Sequence, residues 1–190
     1  DIVIGSTVHP DNAVFRGMPL NEVAARTGVD AVETILHLTQ RDELGTTAFF
    51  FGLSEANLRR ILALPWVMPG TDASLRAPAG PLGRDHPHPR TYGAFAVFLR
   101  MACEGQTMSL PEAVRKMTSL PARQFGLTRR GLIAEGYHAD IVVFDPARVR
   151  ARSTYGRPHR LARGFDHVVV NGVSTIEDGR LTGSRGGRFV

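Results

Sequence analysis

An α/β fold followed by a small antiparallel β subdomain is predicted by a change of pattern along the chain and by its length. Over the first hundred residues short apolar runs alternate with capped helical patterns, the βαβ manner of a parallel sheet. Beyond about residue 127 the pattern turns to short β runs separated by Asn-Gly and Asp-Gly, the manner of antiparallel hairpins. The 190 residues suffice for one sizeable core or for a piece of a larger one, whereas a complete (β/α)8 barrel takes about 250.

Each element has its own signal. Ile2-Val3-Ile4 reads as a strand. Leu20, Val23, Ala24 and Thr27 share a helical face that stops at Gly28, a residue suited to the left-handed C-terminal cap. Asp30 begins a capping box with Glu33, and Val32, Ile35, Leu36 and Thr39 form the apolar stripe that follows. Thr47-Ala48-Phe49-Phe50-Phe51 predicts a buried strand; Ser54 caps a helix with Leu58, Ile61 and Leu62 on its inner face, ended by Pro65. Val67-Met68 reads as an apolar strand closing at Gly70-Thr71-Asp72.

Residues 75–90 hold several prolines and glycines and no apolar period, which predicts a long ordered or lid-like loop. Two helices follow: one opened by Thr91, with Phe95, Phe98, Leu99 and Ala102 facing inward, and one opened by the capping box Ser109-Leu110-Pro111-Glu112, with Leu110, Ala113, Val114 and Met117 on one face. Ile141-Val142-Val143-Phe144 is a short buried strand. Asn171-Gly172 after Val168-Val169-Val170 is a type I′ hairpin signal, and Asp178-Gly179 marks the next reversal. The domains expected are residues 1–127, including the loop at 75–90, and a β subdomain at 128–190.

Composition narrows the class. Hydrophobic content of 43% and charged content of 22% describe a folded soluble protein. No segment reaches the roughly 18 consecutive apolar residues of a membrane span, so no membrane partner is expected. A single cysteine, Cys103, excludes an internal disulfide and fits a reducing cytoplasm; among Phe95, Phe98, Leu99 and Ala102 it reads as a small core hydrophobe. The net charge of +5 admits an anionic partner, but no aromatic-basic interleaving accompanies it, so nucleic acid is not an expected partner.

Two polar residues stand where chemistry is usually placed. Asp72 follows an apolar run and opens a Pro/Gly-rich loop, the position of catalytic groups at the carboxyl end of an α/β sheet and also of ordinary turn residues. Arg90, between Pro89 and a helix start, can present a planar fork to a carboxylate or simply lie on the surface. His86-Pro87-His88 has an H-x-H spacing, but its prolines cannot sit in a central strand; a local metal centre from Asp85, His86 and His88 is the minor alternative to a loop-orienting role. His9, His37, His138, His159 and His167 have no ligand spacing.

Taken in order, Gly70-Thr71-Asp72, His88-Pro89-Arg90-Thr91-Tyr92-Gly93 and the stretch from Gly131 to Pro146 resemble the tail of the N-acyl-D-amino-acid deacylases (D-aminoacylases) of the amidohydrolase superfamily. Arg115 to Ala122 and the closing Thr182-Gly183 and Gly187-Arg188 extend the likeness over the whole chain. The resemblance implies the C-terminal part of an amidohydrolase (β/α)8 barrel followed by a β subdomain built jointly from both chain ends, with the N-terminal half of the enzyme as a missing partner. It implies zinc-dependent hydrolysis of an N-acyl-D-amino acid, with zinc in the parent enzyme, no metal ligand in this chain, and no activity of this chain alone.

In such an enzyme Asp72 is the general base and acid, taking a proton from the metal-bound water and passing it to the departing amine. Arg90 contacts the substrate carboxylate, and Tyr92 packs beside it. Two departures bear on the substrate: the interval from Asp72 to Arg90 is long, and Ala73 stands where glycine is common. A dihydroorotase-like cyclic-amide hydrolase and a non-catalytic binding or assembly module are the alternatives.

Overall fold

The computed structural model describes residues 1–105 and 107–190. The chain forms two compact units, residues 1–53, 71–93 and 152–161 in the first and residues 54–70, 94–151 and 162–190 in the second.

In the first unit β1 (Ile2–Ile4) and β2 (Ala48–Phe50) pair antiparallel, Ile2 with Phe50 and Ile4 with Ala48. The parallel arrangement expected from the sequence is therefore absent between these two strands. Between them lie α1 (Leu20–Thr27) and α2 (Ala31–Arg41). Gly28 caps α1 in the left-handed conformation, and the Asp30 carboxylate accepts from the N–H groups of Val32 and Glu33 at the start of α2. Ile4, Leu20, Val23 and Leu38 form the core of this unit.

The face that α2 buries is not its apolar stripe. Thr34 and Leu38 point inward, while Val32 and Leu36 stay 67% and 61% exposed. The reason is a polar network at the helix end: the buried Asp42 carboxylate accepts from the His9 N–H (2.8 Å), Asn12 Nδ2 (2.8 Å) and Thr46 Oγ1 (2.5 Å). Burial pushes this carboxyl up, but the hydrogen bonds from Thr46, His9 and Asn12 outweigh it and hold the group below the usual carboxylate value. Thr34 donates back to the Asp30 carbonyl, which keeps its own hydroxyl satisfied on the inward side.

The second unit is built on α4 (Arg90–Cys103), whose first turn belongs to the first unit, together with α3 (Glu55–Ala63), α5 (Leu110–Met117) and α6 (Ser119–Gln124). Ser54 caps α3 and Ser109 caps α5, as their sequences indicate. Along α4, Ala96 and Leu99 pack with Val149, and Phe98 and Ala102 with Ala113. Phe95 stays about half exposed instead of joining them, because these two clusters already take adjacent faces of the helix. On α3 only Leu62 of the expected inner face is covered; Leu58 and Ile61 are about half exposed.

Four strands, β3 (Ile141–Phe144), β4 (Phe165–Val170), β5 (Val173–Glu177) and β6 (Arg180–Leu181), form one antiparallel sheet in that order. Its turns are as the sequence requires: Asn171 and Gly172 have φ of 48° and 80°, and Asp178 and Gly179 of 47° and 73°. Phe144 and Phe165 lie against the cluster around Leu99, with ring centroids 6.2 Å apart. Among the described residues no helix is long and apolar enough to cross a membrane.

Candidate active site

The residues singled out by the sequence fall on one part of the first unit. No strand leads into Asp72, contrary to expectation; residues 66–73 carry no regular structure. A strand exists by pairing, and the Val67 N–H is instead spent on the Leu64 carbonyl in the turn that leaves α3. Asp72 itself adopts φ +46°. That left-handed conformation is uncommon outside glycine, is tolerated best by Asp and Asn, and concentrates at functional positions.

Its carboxylate is 93% exposed and faces Arg90, whose Nη2 donates to the Asp72 carboxylate at 3.0 Å and to the Asp72 backbone carbonyl at 2.7 Å. Among the described residues, Arg90 Nε and Nη1 have no hydrogen-bond partner. The two candidate residues, 18 positions apart, are thus direct neighbours, and the guanidinium keeps donors in reserve for a second anion.

The loop from 75 to 89 is tied down. Arg76 pairs with Asp85 at 2.7 Å, the His86 N–H donates to Ser6 Oγ at 2.8 Å, and His86 Nε2 donates to the Tyr155 carbonyl. Apart from one 3-10 turn at Pro81–Gly83 it has no helix or strand, so these side-chain anchors are what order it. Gly17 (φ +76°) leaves room for the crossing, since a Cβ there would meet the Tyr155 carbonyl at 2.5 Å and His86 Nε2 at 2.9 Å.

His-Pro-Arg is the entrance to α4. His88 Nδ1 accepts the Arg90 N–H at 2.9 Å and the His88 carbonyl accepts from Thr91, which satisfies donors that a helix start leaves open. The fixed φ of Pro89 suits the same turn. On its far side His88 Nε2 meets the Tyr155 hydroxyl at 3.0 Å, and Ser153 Oγ donates to the Pro89 carbonyl at 2.8 Å. Tyr92 packs against His159 with ring centroids 6.1 Å apart; burial, and then the Asp85 charge, push its phenol up.

Tyr155 and Ser153 were not visible as site residues in the sequence. They lie more than sixty positions downstream of the residues they hold, in a segment without motif or period, and only folding brings them back.

The residues here do not fit a metal. Asp85 is paired with Arg76, His86 with a backbone carbonyl and His88 with Arg90 and Tyr155, so the local cluster has no converging lone pairs. Among the described residues no group of three or more His, Cys, Asp or Glu side chains is placed to hold an ion.

Burial pushes both histidines below the ordinary value of 6.5, aided at His86 by His159 and Arg16 and at His88 by Arg90; at His86 the Tyr155 carbonyl and Asp85 oppose the shift. Below pH 6.5 the unfolded chain therefore binds protons that the folded histidines refuse, so stability is full above that pH and is lost as pH falls. Melting temperature is expected to drop between pH 7.5 and 5.5, and to drop less in His86→Gln; thermal denaturation of both proteins at the two pH values is the measurement. An identical slope in both would remove His86 from this role.

Three comparisons with known proteins point to one family. The model of the amidohydrolase family matches residues 5–176. An N-acyl-D-glutamate deacylase of Alcaligenes xylosoxydans xylosoxydans is 40% identical over 173 residues, 90% of this chain and 32% of that protein. The crystal structure of a D-aminoacylase superposes with a TM-score of 0.77 at 35% identity, covering 96% of this chain and 36% of the other. An N-acyl-D-glutamate deacylase from Bordetella bronchiseptica, solved with zinc and a phosphonate mimic of its tetrahedral intermediate, gives 0.73 at 34% identity over 94% and 36%. The chain therefore spans about a third of the length of these relatives. With the family model matching nearly its whole length, the chain belongs to the amidohydrolase family.

Proposed function

We propose that this chain forms the C-terminal part of an enzyme that hydrolyses N-acyl-D-amino acids to a carboxylate and a free D-amino acid. In this reading residues 1–127 complete a (β/α)8 barrel begun by a preceding part of the enzyme, and residues 128–190 form the β subdomain. The compartment would be the reducing cytoplasm, on the strength of a single half-buried cysteine. A zinc ion such as the Bordetella enzyme carries would be bound by residues outside these 190, since no ligand set lies among the described residues.

The observation that carries the reading is the direct contact of Asp72 with Arg90. In an acylated amino acid only the α-carbon separates the scissile amide nitrogen from the carboxylate. A substrate whose carboxylate rests on the free donors of Arg90 therefore brings its amide to Asp72. There an exposed carboxylate can take a proton from the attacking water and return it to the departing amine. Tyr92, two residues beyond Arg90, packs beside the clamp.

The full-length enzyme is expected to hydrolyse N-acyl-D-amino acids in preference to their L-isomers and to cyclic amides such as dihydroorotate. Turnover confined to the cyclic amide would overturn the reading. Arg90→Lys keeps the charge but loses the planar fork, so kcat/KM should fall about 10-fold or more on the free acid and much less on the matching neutral amide, as steady-state kinetics on both substrates would measure. Equal losses on the two would remove Arg90 from carboxylate recognition.

A further inference from the structure

We propose that Tyr155 is a positioning residue for carboxylate recognition: its hydroxyl fixes the tautomer and orientation of the His88 ring, and that ring, by accepting the Arg90 N–H, sets the start of α4 from which the Arg90 guanidinium projects.

The hydrogen bonds determine the direction of the relay. His88 Nδ1 accepts from the Arg90 backbone and so carries no proton; in a neutral imidazole the proton then resides on Nε2, which donates to Tyr155 Oη at 3.0 Å. The neutral form is the one favoured here, since burial first and the Arg90 charge second push the ring below its ordinary value. Protonating Nδ1 would point an N–H at the Arg90 N–H, and turning the ring over would put the Cδ2–H there; either breaks the cap. A histidine serves as a cap only while something holds that tautomer.

Tyr155 is itself held. Its ring sits edge-on to Phe51 at 4.9 Å and to His88 at 5.1 Å, and tilted against Phe49 at 5.4 Å. Its carbonyl takes His86 and, two residues before it, Ser153 takes the Pro89 carbonyl. Residues 153–155 thus grip residues 86–89 by three hydrogen bonds. Of the three, only the phenol reaches the ring on which Arg90 depends.

The inference rests on the reading of Arg90 as the carboxylate clamp, and the test separates the two. In the full-length enzyme Tyr155→Phe keeps the ring packing and removes the hydroxyl. KM for the N-acyl-D-amino acid is expected to rise about 3–10-fold, with kcat nearly unchanged and with KM for the neutral amide unchanged. Adding His88→Asn should restore KM, because an asparagine oxygen accepts the N–H two residues on without any tautomer to fix. In parallel, 15N NMR of labelled histidine should show His88 as the Nε2–H tautomer in the wild type and as a mixture in Tyr155→Phe.

Equal KM effects on acid and amide, or failure of His88→Asn to restore KM, would overturn the relay. An unchanged His88 tautomer in Tyr155→Phe would overturn it whatever the kinetics. If Arg90→Lys itself fails to discriminate acid from amide, the clamp reading has failed, and the tautomer measurement alone then decides whether Tyr155 governs His88.

Discussion

Asparagine in place of Asp72 is expected to lower kcat of the full-length enzyme by about 10²–10⁴-fold while leaving its fold and metal content intact. The substitution is nearly isosteric, and an amide oxygen can still accept the Arg90 Nη2 donor that now lies 3.0 Å from the carboxylate. The backbone bond from Arg90 to the Asp72 carbonyl does not depend on the side chain at all. Asparagine also tolerates the φ of +46° observed here, so no strain is added where a valine or alanine would add it. What the amide cannot do is take the water's proton. The loss therefore falls on the chemical step, and KM should move little. Steady-state kinetics with metal analysis of the same preparations checks this, and an Asp72→Asn enzyme of near-normal kcat would end the assignment of Asp72 as the base.

Local signals in the sequence translated well wherever they depend on one or two residues. Gly28, Asp30, Ser54 and Ser109 cap the helices they were expected to cap, and Asn171-Gly172 and Asp178-Gly179 turn as their permissive φ requires. Failures came where an element depends on what lies beside it. The stripe Val32, Ile35, Leu36 has perfect helical period, yet the buried carboxylate of Asp42 and its donors draw the opposite face of α2 inward. Val67-Met68 has strand composition but no strand to pair with. The site behaved in the same way. Asp72 and Arg90 were singled out from motif as candidates, but their direct contact could not be foreseen, because 17 residues lie between them. Tyr155 gives no sign in sequence of its hold on His88, since its role is created by a long-range return of the chain.

Methionine in place of Lys116 is expected to destabilise the second unit by about 2–4 kcal/mol, the largest loss foreseen for any single side chain outside the site. This is the only lysine in the sequence, against 22 arginines, and it is fully buried. Its ammonium donates to the carbonyls of Leu62 and Leu64, both at 2.5 Å, where α3 ends and its last carbonyls lack helical partners. Arg115 covers the next one, at Pro65, with 2.6 Å. A cation at a helix C-terminus also meets the negative end of the macrodipole. Two converging carbonyls suit a compact ammonium better than a planar guanidinium, which explains a lysine in a chain that otherwise uses arginine, and Lys116→Arg should not rescue the loss. Two effects oppose each other. Methionine removes the cost of burying a charge, but it leaves the Leu62 carbonyl without its donor, at about 1–3 kcal/mol, and the Leu64 carbonyl with the Val67 N–H alone, and the second effect should prevail. Burial pushes the folded ammonium below its usual 10.5, with Arg115 adding to the shift and Glu112 opposing it. In the window beneath 10.5 the unfolded chain therefore binds more protons, so wild-type stability rises with pH there and the gap to the methionine variant widens. Urea denaturation of both proteins at pH 7 and 9.5 measures the loss and its trend. Native wild type treated with an amine-reactive reagent should not be labelled at Lys116 until urea unfolds it. A methionine variant as stable as the wild type would show that the charge costs more in the core than its two hydrogen bonds return.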